Sequence, residues 1–214
     1  MTLSIHALQL GMLPTNAYLI CDSETSDAVL VDPVDEADII LETATQNGAT
    51  IRLIIATHAH FDHVLASAPL KEQTGAVFAA HADAAAELPS MPQRGRFYFG
   101  RDFPAAAIPD RLLTTASEVL SVGGIRLRTL YTPGHAPGHL SLLLEDEGIV
   151  FSGDALFSGS IGRTDLPGGD HEQLLSSIQA QLLTLPDETI VLPGHGEATT
   201  IGRERATNPF LQGL

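Results

Sequence analysis

The chain has 214 residues, 44% of them apolar, and a formal net charge of -15. That is apolar material for one large domain or two small ones, and the single cysteine, Cys21, excludes an internal disulfide or a cysteine-built zinc knuckle. The acidity disfavours capture of nucleic acid or an anionic membrane surface, which needs clustered Lys and Arg, but leaves a small anionic substrate open to local charge.

The opening MTLSIHALQL lacks a basic n-region and a long apolar run, and no window approaches the roughly 18 apolar residues of a spanning helix. With its lone thiol, the chain reads as a soluble cytoplasmic protein. Short apolar runs at Ser4 to Leu10, Ala17 to Cys21 and Ala28 to Asp32 predict an opening strand meander. Helical spacing over Asp35 to Asn47 stops at Gly48, and Ile51 to Ala56 follows as a buried strand. Asp62 to Gln73 predicts a helix, Ala76 to Ala80 a strand, and an Ala-rich helical piece comes next. Pro89 to Pro109 is the least regular stretch and reads as a loop, over a pocket or merely solvated.

The second half repeats the plan, with strands at Ile125 to Thr132, Leu140 to Glu145, Ile149 to Ser152 and Thr189 to Leu192, and a helix over Glu172 to Leu183. Two strand-rich blocks, each with helices, are most simply buried as a four-layer α/β (α+β) arrangement with helices outside two sheets.

The densest chemistry is THAHFDHV at Thr57 to Val64, where His58, His60, Asp62 and His63 crowd one strand-to-helix loop. Alternate side chains of an extended segment point the same way, so His58 and His60 can approach one ion while the following turn redirects Asp62 and His63. Three more runs share a single grammar, an apolar strand ending in a glycine-flanked ligand: LYTPGH at His135, IVFSGD at Asp154 and IVLPGH at His195. Five histidines and two aspartates suit two divalent ions, zinc first, with iron or manganese as alternatives. Asp154 is the candidate bridge, and hydrolysis is the default reaction for such a pair.

Together HxHxDH at His58 to His63, TPGH at His135, GD at Asp154 and PGHG at His195 resemble the metallo-β-lactamase fold, and within it the hydroxyacylglutathione hydrolases, or glyoxalase II. The resemblance covers nearly the whole chain and implies a single 1-214 domain, an αββα sandwich with metals at one edge. It implies His58, His60 and His135 on a first metal, Asp62, His63 and His195 on a second, and Asp154 bridging. Asp62 and Asp154 are then the catalytic carboxylates, Asp62 orienting the attacking hydroxide. Asp154 stands where the commonest β-lactamase subclass has a cysteine, which argues against β-lactam hydrolysis.

Short bacterial glyoxalase II-like proteins carry stretches similar to GDALFSGSIGRTDLPGGD (Gly153 to Asp170) and NPFL (Asn208 to Leu211). Larger glyoxalase II enzymes add a C-terminal helical domain that grips glutathione, whereas this chain ends 19 residues after His195. It has Gly196 and Glu197 where those enzymes have a Glu-Tyr pair, and Arg163 falls near their substrate-binding lysine. The implied activity is hydrolysis of S-lactoylglutathione or a related small-molecule thioester by a metal-bridging hydroxide. The alternative of the same fold is an iron-dependent persulfide dioxygenase; a purely structural metal brace is a third reading, disfavoured because structural sites are normally closed.

Arg163 and Ser160 are the substrate-binding candidates, with Ser158 and Gly162 lining the same mouth; a pair between Arg163 and Asp165 is the competing use. Asp32, in VDP after a strand, is a candidate to fix the tautomer of a ligating imidazole, with simple strand-end capping as the competing reading. His139 is read as supporting a ligand, His6 and His81 as structural, and His171 as solvent-facing. Tyr98 and Phe99 read as packing residues, with cover over a substrate as the alternative.

Overall fold

The computed structural model describes residues 2–214, which divide into two compact units: the chain up to Leu113 with Ser121–Ile125, and Thr114–Leu120 with Arg126–Leu214. The first unit is built on a six-stranded sheet in sequence order. Strands β1 (Leu3–Leu10), β2 (Thr15–Asp22) and β3 (Asp27–Val31) form the antiparallel meander. Strands β4 (Thr50–Ile55), β5 (Val77–His81) and β6 (Arg111–Leu113) continue it in parallel.

Parallel neighbours require crossovers, and helices supply them. Helix α1 (Ala37–Gln46) links β3 to β4, α2 (Ser67–Thr74) links β4 to β5, and α3 (Ala82–Glu87) with α4 (Met91–Phe99) links β5 to β6. Ile40 and Ala44 of α1, Leu70 of α2, Ala84 of α3 and Met91 of α4 pack with Leu19, Leu30, Ile54 and Phe78 in one apolar cluster. Strand β2 is buried along its whole length, so both faces of the sheet are covered there.

The second sheet orders its strands β14-β13-β10-β9-β8-β7. These are β7 (Val119–Val122), β8 (Ile125–Tyr131), β9 (Leu140–Leu144), β10 (Ile149–Gly153), β13 (Ile190–Pro193) and β14 (Thr199–Thr200), while β11 (Leu156–Phe157) and β12 (Ser160–Ile161) form a separate hairpin. Helix α5 (His171–Ser177) runs on into a π-helical turn at Ile178–Leu182, and α6 (Ile201–Thr207) follows β14. Leu174, Ile178, Leu182 and Ile201 from these helices pack against Leu130, Leu143, Val150 and Val191. Each unit thus buries an apolar sheet face under its own helices, as the repeated pattern predicts.

Two expectations need correction. The helix expected from Asp62 starts only at Ser67, because Phe61–His63 is a tight 3-10 turn closed by His63 N–H donating to His60 O. The stretch expected to be an irregular loop, Pro89 to Pro109, contains α4. Pro92 suits a first helical turn, where a missing N–H costs nothing. Gly95 is required by packing: a Cβ there would lie 2.7 Å from the Phe103 ring. Among the described residues no helix is long and apolar enough to cross a membrane.

Candidate metal centre

Strand direction explains where the ligands appear. In the first unit β3, β4 and β5 run parallel, with Val31 opposite Ile55 and Ile55 opposite Ala79. Their carboxyl ends therefore share one edge, the usual place for a site on such a sheet, and Asp32 and the loop Thr57 to His63 emerge there. In the second unit β10 and β13 are parallel, and β8 shares their direction because both β8 and β10 are antiparallel to β9. His135, Asp154 and His195 accordingly leave the carboxyl ends of β8, β10 and β13 on one edge.

The first half-site is organised by Asp32, which is buried and held at φ 57°. Aspartate tolerates this left-handed conformation better than most residues, and here it turns the carboxylate back onto the ligand loop. Thr57 N–H donates to Asp32 Oδ1 at 2.7 Å, and the Thr57 hydroxyl donates to Oδ2 at 2.9 Å. His63 Nδ1 lies 2.8 Å from the same Oδ2 and must donate to it. With its proton committed to Asp32, Thr57 Oγ1 accepts from His58 Nδ1 at 3.0 Å. One carboxylate thereby sets two imidazole tautomers, both with the proton on Nδ1 and the lone pair on Nε2.

The loop draws its rings together: His58 is 4.6 Å from His60 and 4.2 Å from His63 between centroids. Asp62 Oδ2 accepts from Thr15 Oγ1 at 2.8 Å and sits 3.5 Å from His63 Nε2. His81 has the opposite tautomer, its Nδ1 accepting from Asp83 N–H to cap α3, and burial pushes its pKa down. It is structural, as expected. His6 bonds Ser4 on an edge strand, and His171 is exposed at the start of α5.

In the second half-site His135 Nδ1 donates to Arg163 O at 2.8 Å, again leaving the lone pair on Nε2. Asp154 Oδ2 lies 3.5 Å from His135 Nε2 and 3.6 Å from His195 Nε2. Two ligands bonded at ~2.1 Å in a tetrahedral shell are about 3.4 Å apart, so each spacing is that of neighbouring ligands on one ion. One carboxylate oxygen thus lies at ligand spacing from two imidazoles. The donor set therefore fits divalent metal in both halves.

His139 supports this half from behind. Asp154 N–H donates to His139 Nε2 at 3.0 Å, so His139 Nδ1 donates to Thr132 Oγ1 at 2.9 Å. The relay continues from Thr132 to Ser141 and from Ser141 Oγ to Ser152 O. His139, Thr132, Ser141 and Ser152 are all fully buried, so each bond is made in a low-dielectric setting.

The hairpin bearing the substrate candidates is fixed by α6. Buried Glu204 accepts from Thr199 Oγ1 at 2.6 Å and from Gly159 N–H at 2.8 Å. Asn208, from the NPFL run, donates to Ser160 O at 3.0 Å. Arg163 forms two 2.7 Å bonds to Asp165, the competing use weighed for it from sequence. This pairing holds the Asp165 carboxyl down at about 2, so the pair stays ionised as pH falls until that value is approached. Ser158 and Ser160 are partly exposed on the same hairpin. Thr15, Thr57, Thr132, Ser141 and Glu204 escaped sequence reading; only Thr57, next to the histidine run, carried a local signal.

Replacing Asp32 by Asn isolates the tautomer effect. Asp32→Asn is expected to weaken metal affinity or activity about 10- to 100-fold, the usual range for a group that orients ligands. Metal titration against a chelator checks this, and unchanged affinity would remove Asp32 from the site.

The comparisons agree with this geometry. The model of the metallo-beta-lactamase superfamily matches residues 10–195. Hydroxyacylglutathione hydrolase GloC of Haemophilus influenzae is 36% identical over 210 residues, 98% of each chain. The crystal structure of BLEG-1 B3 metallo-beta-lactamase superposes with a TM-score of 0.90 at 38% identity, covering 98% of this chain and all of that one. TTHA1623 in a di-iron-bound form gives 0.86 at 41% identity, with 96% and 100% covered. ETHE1 from Myxococcus xanthus gives 0.80 at 32% identity, with 96% and 83% covered. The family match spans both half-sites, and the chain belongs to the metallo-β-lactamase superfamily.

Proposed function

We propose that the chain is a metal-dependent hydrolase of this superfamily, and specifically a glyoxalase II-like thioesterase acting on an S-2-hydroxyacyl thioester such as S-lactoylglutathione. On this reading two divalent ions would be held as the family resemblance implies, one by His58, His60 and His135 and the other by Asp62, His63 and His195, with Asp154 shared between them. The observation that carries the reading is Asp154 Oδ2, at near-equal distances from the Nε2 atoms of His135 and His195. GloC, similar over the whole chain, supports the thioester.

Bound ions would supply a nucleophilic water at neutral pH and polarise the carbonyl under attack. Asp62, with Oδ2 steadied by Thr15, would accept a hydrogen bond from that nucleophile and orient it. Asp32 and the Arg163 carbonyl keep the ligating imidazoles from rotating. The departing thiolate belongs to a thiol with a pKa of about 8.5 and needs little acid assistance.

The similarity to ETHE1 and to a di-iron protein favours one competing reading, a persulfide dioxygenase using iron. Protein purified without added metal is therefore assayed for metal content and then with S-lactoylglutathione, glutathione persulfide and a chromogenic β-lactam. Two ions per chain with oxygen-independent thiol release is the expected result. One iron with oxygen uptake on the persulfide, or preferred turnover of the β-lactam, overturns it.

A further inference from the structure

Around the ligand loop of the first unit lies an aromatic step that the metal chemistry does not use. Phe61, between the ligands His60 and Asp62, stacks on Phe103 at 4.8 Å and meets Phe99 edge-on at 4.8 Å. Arg101 lies over the Phe103 ring at 5.5 Å, and its Nη2 reaches the Met12 sulfur at 3.7 Å. Met12 and Phe99 remain 45% and 40% exposed, so the floor beside this guanidinium is open.

The charge setting of Arg101 is unusual. The chain has 26 acidic and 11 basic residues, so most cations can find an acid. Arg94 pairs with Glu87, and Arg96 takes both oxygens of Asp102, the residue next to Arg101. Arg101 has no carboxylate within ion-pair distance among the described residues; a thioether and a ring face are its neighbours. Both are weak partners for a guanidinium, whose fork is shaped for a carboxylate.

We propose that Arg101, standing on the aromatic step of Phe61, Phe99 and Phe103, is a specificity-determining residue that receives a carboxylate of the substrate's thiol carrier. This rests on the thioesterase reading and assigns to Arg101 the recognition of the acidic part of the thiol carrier. Two ring contacts separate Arg101 from the ligand loop, a span on the order of 10 Å, which is the reach of about three extended residues. Arg163, the candidate from sequence, is already held by two bonds to Asp165. The ring below Arg101 holds the guanidinium in place before a ligand arrives, which lowers the ordering cost of binding.

The test is calorimetric titration of metal-loaded protein with S-methylglutathione and with its dimethyl ester, which lacks both carboxylate charges. A protein of net charge -15 would by its overall field prefer the ester, so preference for the acid reports a local cation. The expected result is at least about fivefold tighter binding of the acid, loss of that difference in Arg101→Gln, and partial retention in Arg101→Lys. Equal binding of acid and ester by the parent protein, or an unchanged acid preference in Arg101→Gln, overturns the proposal. So does equal weakening towards both ligands with a lowered melting temperature, which would make Arg101 only a brace for Phe103. The thioesterase reading fails separately, if metal-loaded parent protein hydrolyses no thioester whatever it binds.

Discussion

Asp154→Asn is expected to lower thioester turnover at least about a hundredfold and to reduce bound metal below two ions per chain. The lower limit follows because ligand-orienting groups alone are worth 10- to 100-fold, and Asp154 contributes the ligand oxygen itself. The amide keeps the shape and the backbone N–H bond to His139, so the frame from His139 through Thr132 and Ser141 to Ser152 survives. What disappears is the negative charge that binds hard divalent cations in preference to water.

The same substitution should act with opposite sign on the metal-free protein. Asp154 is 6% exposed, and burying a carboxylate costs free energy that bound divalent cations offset more fully than imidazoles do. Metal-free Asp154→Asn is therefore expected to match or exceed the parent in stability, by about 1 to 2 kcal/mol at most, while the metal-loaded form falls below it. Denaturant titration with and without metal checks both signs. A loss of stability in the metal-free state would make Asp154 a structural residue and remove the bridge on which the two-ion centre depends.

Gly162→Ala is the second large effect, and no loss of ligand chemistry is involved. An added Cβ would lie 1.9 Å from the Asp154 carbonyl oxygen and 3.0 Å from His135 Nδ1. The first is a backbone atom and cannot swing away, so the turn after β10 that carries Asp154 or the segment after β12 that carries Gly162 must move. His135 meanwhile depends on the adjacent Arg163 carbonyl for its orientation. Overpacking of this kind costs about 1–3 kcal/mol of stability. A shift near 1 Å at the ligands costs about a hundredfold in rate. Loss of activity with metal stoichiometry near normal but weaker affinity is expected, measured by competition with a chelator. Full activity in Gly162→Ala would show that the ligands tolerate a displaced hairpin.

Both effects show why the glycines around the ligands were visible before their reason was. The recurring strand-glycine-ligand pattern at His135, Asp154 and His195 is local, and a short bent loop needs glycine whatever lies around it. Gly162, by contrast, is glycine because of atoms eight residues earlier in β10's exit and 27 residues earlier at His135, and no local pattern carries that.

The sequence by itself determined the ligand types, their order along the chain and the elements that present them. Those features depend on strand and helix periodicity and on short loops, which neighbouring residues decide. It left Asp32 between fixing an imidazole and capping a strand end, and the structure decided for the imidazole through the 2.8 Å contact with His63. The tertiary structure alone decided the rest. It turned the expected helix start at Asp62 into a 3-10 turn in which Asp62 is held by Thr15 from β2. It made a helix of part of the stretch expected to be a loop, with Gly95 leaving room for the Phe103 ring against it. It tied Arg163 to Asp165 and left Arg101 on an aromatic ring, and pairings of that kind arise from side chains meeting in space rather than from spacing along the chain.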